Sequence, residues 1–481
     1  MAHRNPFYIT STLPYVNADP HIGFALEIVH TDIVARYQRL MGREVFFSTG
    51  ADEHGQKIFQ KAEEEGKDVQ AYVDHFAGQF KKLKDGLDLS YDAFIRTTDT
   101  AHIEAAQALW KLCLEAGDIY KKKYKGLYCV GDEAFIKESD LVDGKCPNHP
   151  NMTPIEIEEE NYFFRLSAYQ DKLIAYLSQE EVILPDWRRK EAIAFVSQGL
   201  EDFSISREKA RMGWGIPVPG DESQVMYVWF DALTNYISTL GWPDTGGNFK
   251  KFWEDGFTVQ TAGKDQVRFQ SIMWQAMLMS AKLPSTQEVV YHGFITSGGQ
   301  KMSKSLGNVI DPFTLVEEYG TDAVRYFLAR HVHPFEDSDF TREQFKEVYN
   351  ANLANGLGNL VARIMKLAET HLEMGKSDLS TVDKSDLPTE YMDAIENFEL
   401  NKAADVIWER IKLLDQQITD TAPFKVIKVN PEEGKELIRA LTQELYLIGR
   451  MLNPFMPNTS KIIKEAIIAN KKPDNLFARK D

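Results

Sequence analysis

The sequence predicts an α/β protein: a doubly wound parallel sheet interrupted by an insertion and followed by a bundle of helices. Three observations predict it. Short apolar runs alternate with amphipathic stretches at the start of the chain, and the same alternation returns after residue 243. Beyond Asp311 the apolar residues keep helical spacing almost to the end.

Phe7-Tyr-Ile-Thr reads as a strand, His21 to about Met41 as a helix, and Glu44-Val-Phe-Phe-Ser-Thr as a second strand before another helix. Strand, helix, strand is the βαβ unit of a Rossmann-type sheet. The insertion, roughly Gly117 to Pro243, reads as a separate lobe. It holds a Lys121-Lys-Lys run, short strand-like pieces, a Cys/His hairpin and an acidic stretch from Glu156 to Glu160. Phe257-Thr-Val-Gln-Thr, Gln266 to Lys282 and Glu288-Val-Val-Tyr-His then restore strand, helix and strand. Lys346 to Leu372, Tyr391 to Gln417 and Lys435 to Met451 read as bundle helices, interrupted by a polar segment from Gly375 to Thr389. The expected divisions are 1–116 and 244–310 for the two halves of the sheet domain and 117–243 for the insertion. A connecting segment, 311–345, and the bundle, 346–481, complete the division.

The 481 residues are enough for about three domains. With 43% hydrophobic and 26% charged residues and no long apolar run, the composition disfavours a membrane protein. Met1 to Thr10 lacks the apolar centre of a signal peptide, and three cysteines cannot staple a chain this long, so the cytoplasm is the expected location. The net charge of -17 is unfavourable for binding a polyanion, but residues 401–481 carry 14 Lys and Arg against 11 Asp and Glu. The basic balance of that tail is compatible with a nucleic-acid partner.

Two segments carry the chemistry. Thr12-Leu-Pro-Tyr-Val-Asn-Ala-Asp-Pro-His-Ile-Gly-Phe leaves the first strand and puts Gly23 in the first turn of a helix. A helix start offers unpaired N–H groups and a positive dipole end to phosphate, Gly23 gives a nucleotide room, and His21 supplies a donor. The plainer reading is a capped helix after a Pro-rich turn. Ser297-Gly-Gly-Gln-Lys-Met-Ser-Lys-Ser-Leu-Gly-Asn is a glycine-hinged loop with Lys301 and Lys304 three apart and Ser303 between them. Two ammonium groups on such a loop suit a triphosphate whose charge rearranges during cleavage. Its plainer reading is a solvated surface loop.

Together, His21-Ile-Gly-Phe and Lys301-Met-Ser-Lys-Ser resemble the HIGH and KMSKS signatures of class I aminoacyl-tRNA synthetases. Phe24 departs from HIGH, because it cannot hydrogen-bond where the family has a second histidine. Further segments resemble the methionyl branch of that family along nearly the whole chain. They include Leu13-Pro-Tyr-Val-Asn, Gly50-Ala-Asp-Glu-His-Gly-Gln, Trp214-Gly-Ile-Pro-Val-Pro-Gly and Tyr227-Val-Trp-Phe-Asp-Ala-Leu. The resemblance implies that methionine and ATP, with Mg2+, form methionyl-adenylate, and that the terminal ribose of tRNA(Met) then takes the methionyl group. It implies His21, Lys301 and Lys304 as catalytic residues, and His21, Gly23, Lys301, Ser303 and Lys304 against ATP. It implies Leu13, Tyr15, Trp229, Ala232, Tyr236 and Phe269 around the methionine side chain, with Asp52 facing its ammonium group. The insertion corresponds to a connective peptide and the bundle to an anticodon-binding domain.

Gln266 and Gln270 are departures from the methionyl pattern and put amides near the expected pocket. In the insertion, Cys129, Asp132, Cys146 and His149 have spacing that suits tetrahedral zinc, although relatives carry a cysteine where Asp132 stands. The alternative is a hairpin with vestigial ligands. Asn355-Gly-Leu-Gly-Asn-Leu-Val-Ala-Arg resembles the entry to the anticodon domain, whereas Asp415 and Phe424 depart from a later family segment. No appended dimerisation domain follows the bundle, so a monomer without membrane contact is expected. Other readings stay open: a nucleotidyltransferase, a class I synthetase for another apolar amino acid, or an inactive tRNA-binding relative.

Overall fold

The computed structural model describes residues 5–130, 134–147, 151–302, 307–373 and 386–481. The polar interruption from Gly375 lies largely outside them. The chain forms two compact units, each assembled from separate stretches.

The first unit comprises Met1–Pro20, Val45–Lys82 and Tyr91–Tyr291. Its six-stranded sheet runs in the order Ala93–Arg96, Val45–Ala51, Phe7–Thr10, Phe257–Gly263, Glu288–His292 and Ile183–Leu184. Phe7–Thr10 lies at the centre and pairs in parallel with Val45–Ala51 on one side and Phe257–Gly263 on the other. Central parallel strands are covered on both faces, which is why they read as continuous apolar runs. Phe7, Tyr8, Ile9 and Thr10 are all buried. Trp110, Trp253, Trp274 and Phe230 pack with Tyr8 in one apolar cluster. The helix expected from Gln266 to Lys282 is present as one continuous helical stretch from Lys264 to Ser280, which opens tightly wound at Lys264–Gln266 and widens at Phe269–Met273 before Trp274–Ser280.

A second, antiparallel sheet of the same unit has the order Ala134–Ile136, Ile119–Cys129, Ile155–Phe164, Phe203–Ser204. Its register explains two charged features of the sequence. Lys123 lies opposite Glu160 and Lys125 opposite Glu158, while Lys125 bridges to Glu156 at 2.9 Å. The end of the lysine run and Lys125 thus face the acidic stretch on the adjacent strand, while Lys121 and Lys122 lie opposite Tyr162 and Asn161; opposite charges stabilise such cross-strand pairs modestly.

The second unit comprises His21–Glu44, Leu83–Ser90 and His292–Asp481. Helix Ile22–Leu40 buries Asp32, which pairs with the equally buried Arg325 at 2.8 Å. Arg325 also donates to the carbonyls of Leu87, Pro454 and Phe455, and Asp32 accepts from the Ser90 N–H and hydroxyl. A buried ion pair is tolerable when its remaining donors and acceptors are satisfied in this way. Helices Asn359–His371, Leu400–Thr421, Pro431–Leu452 and Pro457–Ile468 form the expected bundle. The long stretch expected from Tyr391 breaks at Phe398, whose φ of +57° ends helix Thr389–Glu396 before Leu400–Thr421 begins.

Candidate active site

In the first unit, the loop after the central strand is laced to the end of its neighbour. The Asp52 N–H donates to the Pro14 carbonyl at 2.9 Å and the Val16 N–H to the Asp52 carbonyl at 3.1 Å. These backbone bonds put Leu13, Tyr15 and Asp52 side by side. Helical segments Val228–Leu233 and Asn235–Ser238 supply the opposite wall. Between them lies a cavity of about 270 Å³, the size of an amino-acid side chain with its backbone, on the small side for ligand pockets.

Leu13, Tyr15, Asp52, Trp229, Ala232 and Tyr236 all line this cavity, as do the two departures, Gln266 and Gln270. Phe269 does not line it. It stacks flat on Trp229, ring centroids 3.8 Å apart and planes 10° apart, and faces a different cavity of the same unit. Its contact with the pocket is through the Trp229 indole. Lys57 and Asn235 also line the cavity and carried no signal in the sequence, because each is one polar residue on a helix.

Gln270 is buried and its Nε2 donates to the Tyr236 hydroxyl by a short hydrogen bond. Its Oε1 has no hydrogen-bond partner among the described residues, and neither has Oε1 of Gln266. An unsatisfied amide oxygen in a pocket wall is costly unless a ligand or water meets it.

In the second unit, His21 caps helix Ile22–Leu40. Its Nδ1 accepts from the Gly23 N–H at 3.0 Å, so Nε2 is the protonated nitrogen. The first-turn N–H groups, expected to be unpaired, are engaged. The Ile22 N–H donates to the Ile310 carbonyl, and those of Phe24 and Ala25 to the His21 carbonyl. What remains for phosphate is the dipole and the histidine. Gly23 also has a different reason to be glycine: a Cβ there would meet the His21 ring at 2.8 Å.

The lysine loop begins on a hairpin of the second unit. Ile295–Ser297 pairs antiparallel with Gln300–Lys301 across Gly298 and Gly299, whose φ values are +63° and +72°. Asp339 holds the turn, accepting from the Gly299 N–H and the Thr296 hydroxyl, each at 2.8 Å. These bonds, with the Gly299 N–H foremost, keep its carboxyl below the usual range. The backbone of Lys301 continues this hairpin, whereas Ser303 and Lys304 lie outside the described residues.

Cys129 and Cys146 are both buried, at 1% and 0% exposure, although Lys145 and Pro147 beside Cys146 are exposed. Asp132 and His149 lie outside the described residues. Among the described residues no three potential ligands converge on one point.

The bundle carries a groove of about 810 Å³ lined by Asn355, Arg363, Lys366, Trp408, Asp415 and Phe424 among others. Two segments far apart in sequence, the one starting at Asn355 and the one ending at Phe424, meet there. Arg363 and Asp415 form a short ion pair across it, and Phe424 is exposed at 44%.

No helix of the described residues is long and apolar enough to cross a membrane. A family model described as tRNA synthetases class I (M) matches residues 7–154 and 149–365. The chain is 41% identical over 485 residues to the methionine--tRNA ligase of Brucella suis biovar 1 (strain 1330), covering 98% of this chain and 93% of that protein. It is 40% identical over 484 residues to that of Thermotoga maritima, covering 97% and 76%. The solved structure of Mycobacterium tuberculosis methionyl-tRNA synthetase in complex with methionyl-adenylate matches with a TM-score of 0.87 at 37% identity, covering 96% of this chain and 93% of that one. On model, sequence and fold alike, the chain belongs to the class I tRNA synthetases, in the family of the methionine--tRNA ligases.

Proposed function

We propose that the protein activates methionine with ATP and transfers the methionyl group to the 3'-terminal ribose of tRNA(Met). The observation that carries this reading is the amino-acid-sized cavity with Asp52 among its lining and Trp229, Tyr15 and Leu13 as apolar walls. A carboxylate suits the substrate ammonium group, and a flexible thioether suits aromatic surfaces. The methionine carboxylate attacks the α-phosphate, and pyrophosphate leaves. Mg2+ arrives with ATP and neutralises its phosphates. No side-chain nucleophile is required, because orientation and charge neutralisation supply most of the rate. His21 donates from Nε2 to phosphate oxygen, Gly23 keeps its ring in place, and Lys301, Ser303 and Lys304 hold the phosphates as charge moves to the leaving group.

In this reading residues 1–116 and 244–310 are the catalytic domain, 117–243 the connective peptide, 311–345 the stem-contact segment and 346–481 the anticodon-binding domain. The bundle groove supports the last assignment, since it combines an exposed aromatic ring with cationic side chains, the pairing that unstacked bases need. The protein works as a monomer in the cytoplasm.

The insertion hairpin binds zinc through the thiolates of Cys129 and Cys146, with Asp132 and His149 completing the set. The support is the burial of Cys146 between the exposed Lys145 and Pro147, where a thiol has little apolar core to enter, whereas Cys129 follows the buried Tyr128. Zinc there would tie the ends of the hairpin together. Metal analysis of protein purified without added zinc decides it, and less than about a tenth of an equivalent would remove zinc from the account.

The test of the activity is formation of methionyl-adenylate by the protein in a single turnover, followed by charging of a tRNA(Met) transcript. Adenylate without charging would place the protein outside the ligases, and no adenylate would refute the reading.

A further inference from the structure

Behind the wall of the amino-acid cavity lies a chain of buried polar groups that makes no contact with the cavity itself. Asp231 is 0% exposed, and both its oxygens are used. Oδ2 meets His54 Nδ1 at 2.7 Å, and Oδ1 meets His102 Nε2 at 2.8 Å. His102 Nδ1 in turn meets the Ser238 hydroxyl at 2.9 Å. His54, His102 and Ser238 are buried too.

The positions of these groups along the chain matter as much as their distances. His54 follows Asp52 by two residues, Asp231 sits between Trp229 and Ala232, and Ser238 follows Tyr236 by two. The network therefore ties the strand end that carries Asp52 to both helical segments that carry the side-chain wall. A buried carboxylate accepting from two buried imidazoles fixes the orientation of both rings, much as an outer carboxylate orients a metal-bound histidine. The spacing it fixes is the one a bound amino acid must match, from its ammonium group to the end of its side chain.

We propose that Asp231 is a positioning residue for the amino-acid substrate, acting through His54 and His102 to set the distance between Asp52 and the Trp229, Ala232 and Tyr236 wall. This rests on the assignment of the cavity to methionine. None of the four network residues lines the cavity, so the network acts through that spacing, and its loss raises the methionine KM and leaves the ATP KM alone.

The experiment is methionine- and ATP-dependent pyrophosphate exchange with the full chain. His54→Ala raises the methionine KM about tenfold or more, because misplacement of substrate by a fraction of an ångström is costly, and keeps the ATP KM within about twofold. His54→Asn, whose amide nitrogen reaches the place of Nδ1, restores most of the loss. His102→Leu behaves like His54→Ala, whereas His102→Gln, with nitrogen near the place of Nε2, is close to wild type. Ser238→Ala, a smaller lesion at the far end of the network, gives a rise of about two- to threefold and keeps the test available if the larger lesions fail to fold. Equal rises in both KM values, no rescue by the amides, or a wild-type methionine KM in Ser238→Ala would each overturn the proposal. A wild-type protein without methionine exchange would instead overturn the assignment of the cavity, and the proposal with it.

Discussion

The Nδ1 of His21 accepts the backbone N–H of Gly23 at 3.0 Å, and this one bond assigns the ring's proton to Nε2. The histidine is thus both the cap of helix Ile22–Leu40 and a donor. The two roles can be separated. In His21→Asn the amide oxygen keeps the cap while the Nε2 donor is gone. Adenylation is expected to fall about 100-fold, the scale of losing one donor to developing charge, with the unfolding temperature nearly unchanged. Adenylation at the wild-type rate would show that the ring is a cap and nothing more.

Lys304→Ala is expected to slow single-turnover adenylation by about tenfold or more without altering methionine binding. Since Lys304 holds the phosphates most strongly as charge moves to the leaving group, the ATP KM should move less than the rate. An unchanged rate contradicts its assignment.

The Gln270 amide donates to the Tyr236 hydroxyl inside the amino-acid cavity. That bond occupies a lone pair of the Tyr236 oxygen and turns its proton elsewhere. A thioether sulfur is a weak acceptor and the methylene of norleucine is none. Gln270→Leu is therefore expected to narrow the preference for methionine over norleucine, measured as the ratio of kcat/KM, by about threefold or more. The same ratio in both proteins would mean that the amide plays no part in the choice.

Asp415 holds the guanidinium of Arg363 in the bundle groove, both side chains being about half exposed at 50% and 46%. Exposed pairs of this kind contribute little stability. Asp415→Asn frees a cation for tRNA, so the KM for tRNA should drop about two- to threefold with a steeper salt dependence, while pyrophosphate exchange stays as it was. An unchanged KM for tRNA with an unchanged salt dependence would remove the groove from the tRNA interface.

Glu288 begins a buried strand of the sheet, and burial, helped by the charge of Glu181, pushes its carboxyl up to about 8. The folded protein then binds a proton that the unfolded chain has already released above the ordinary glutamate range. This contribution to stability is complete below that range and is lost as pH rises through about 8. Glu288→Gln, neutral throughout, should match wild type in unfolding temperature near pH 5 and exceed it near pH 8.5. Parallel melting curves across that window would show that Glu288 is not protonated in the fold.

The parts of this molecule legible in the sequence are those set by local periodicity. Phe7–Thr10 and Glu288–His292 read as buried strands because every residue is needed in the core, and helix Ile22–Leu40 keeps its expected ends within a residue. Six of the seven residues expected around methionine line one cavity. Phe269 differs because a residue beside a pocket can serve as the backing for its wall, a distinction that only packing makes. The pairing of Lys123 and Lys125 with Glu160 and Glu158 was hidden for a similar reason, since register between strands some 35 residues apart leaves no local signal. Gly23 was legible as necessary but for the wrong neighbour: the His21 ring, rather than a nucleotide, already occupies the space a Cβ would need. The network around Asp231 had no sequence signal of its own, because buried polar residues acquire their meaning from partners that the fold supplies.

The central claim is that the cavity between Asp52 and Trp229 selects methionine for adenylation, and amino-acid-dependent exchange of pyrophosphate into ATP tests it most directly. With each of the twenty amino acids supplied in turn to the full-length chain, the account predicts saturable exchange with methionine and little with leucine, isoleucine or valine. Exchange driven best by another amino acid, or none with methionine, would contradict it.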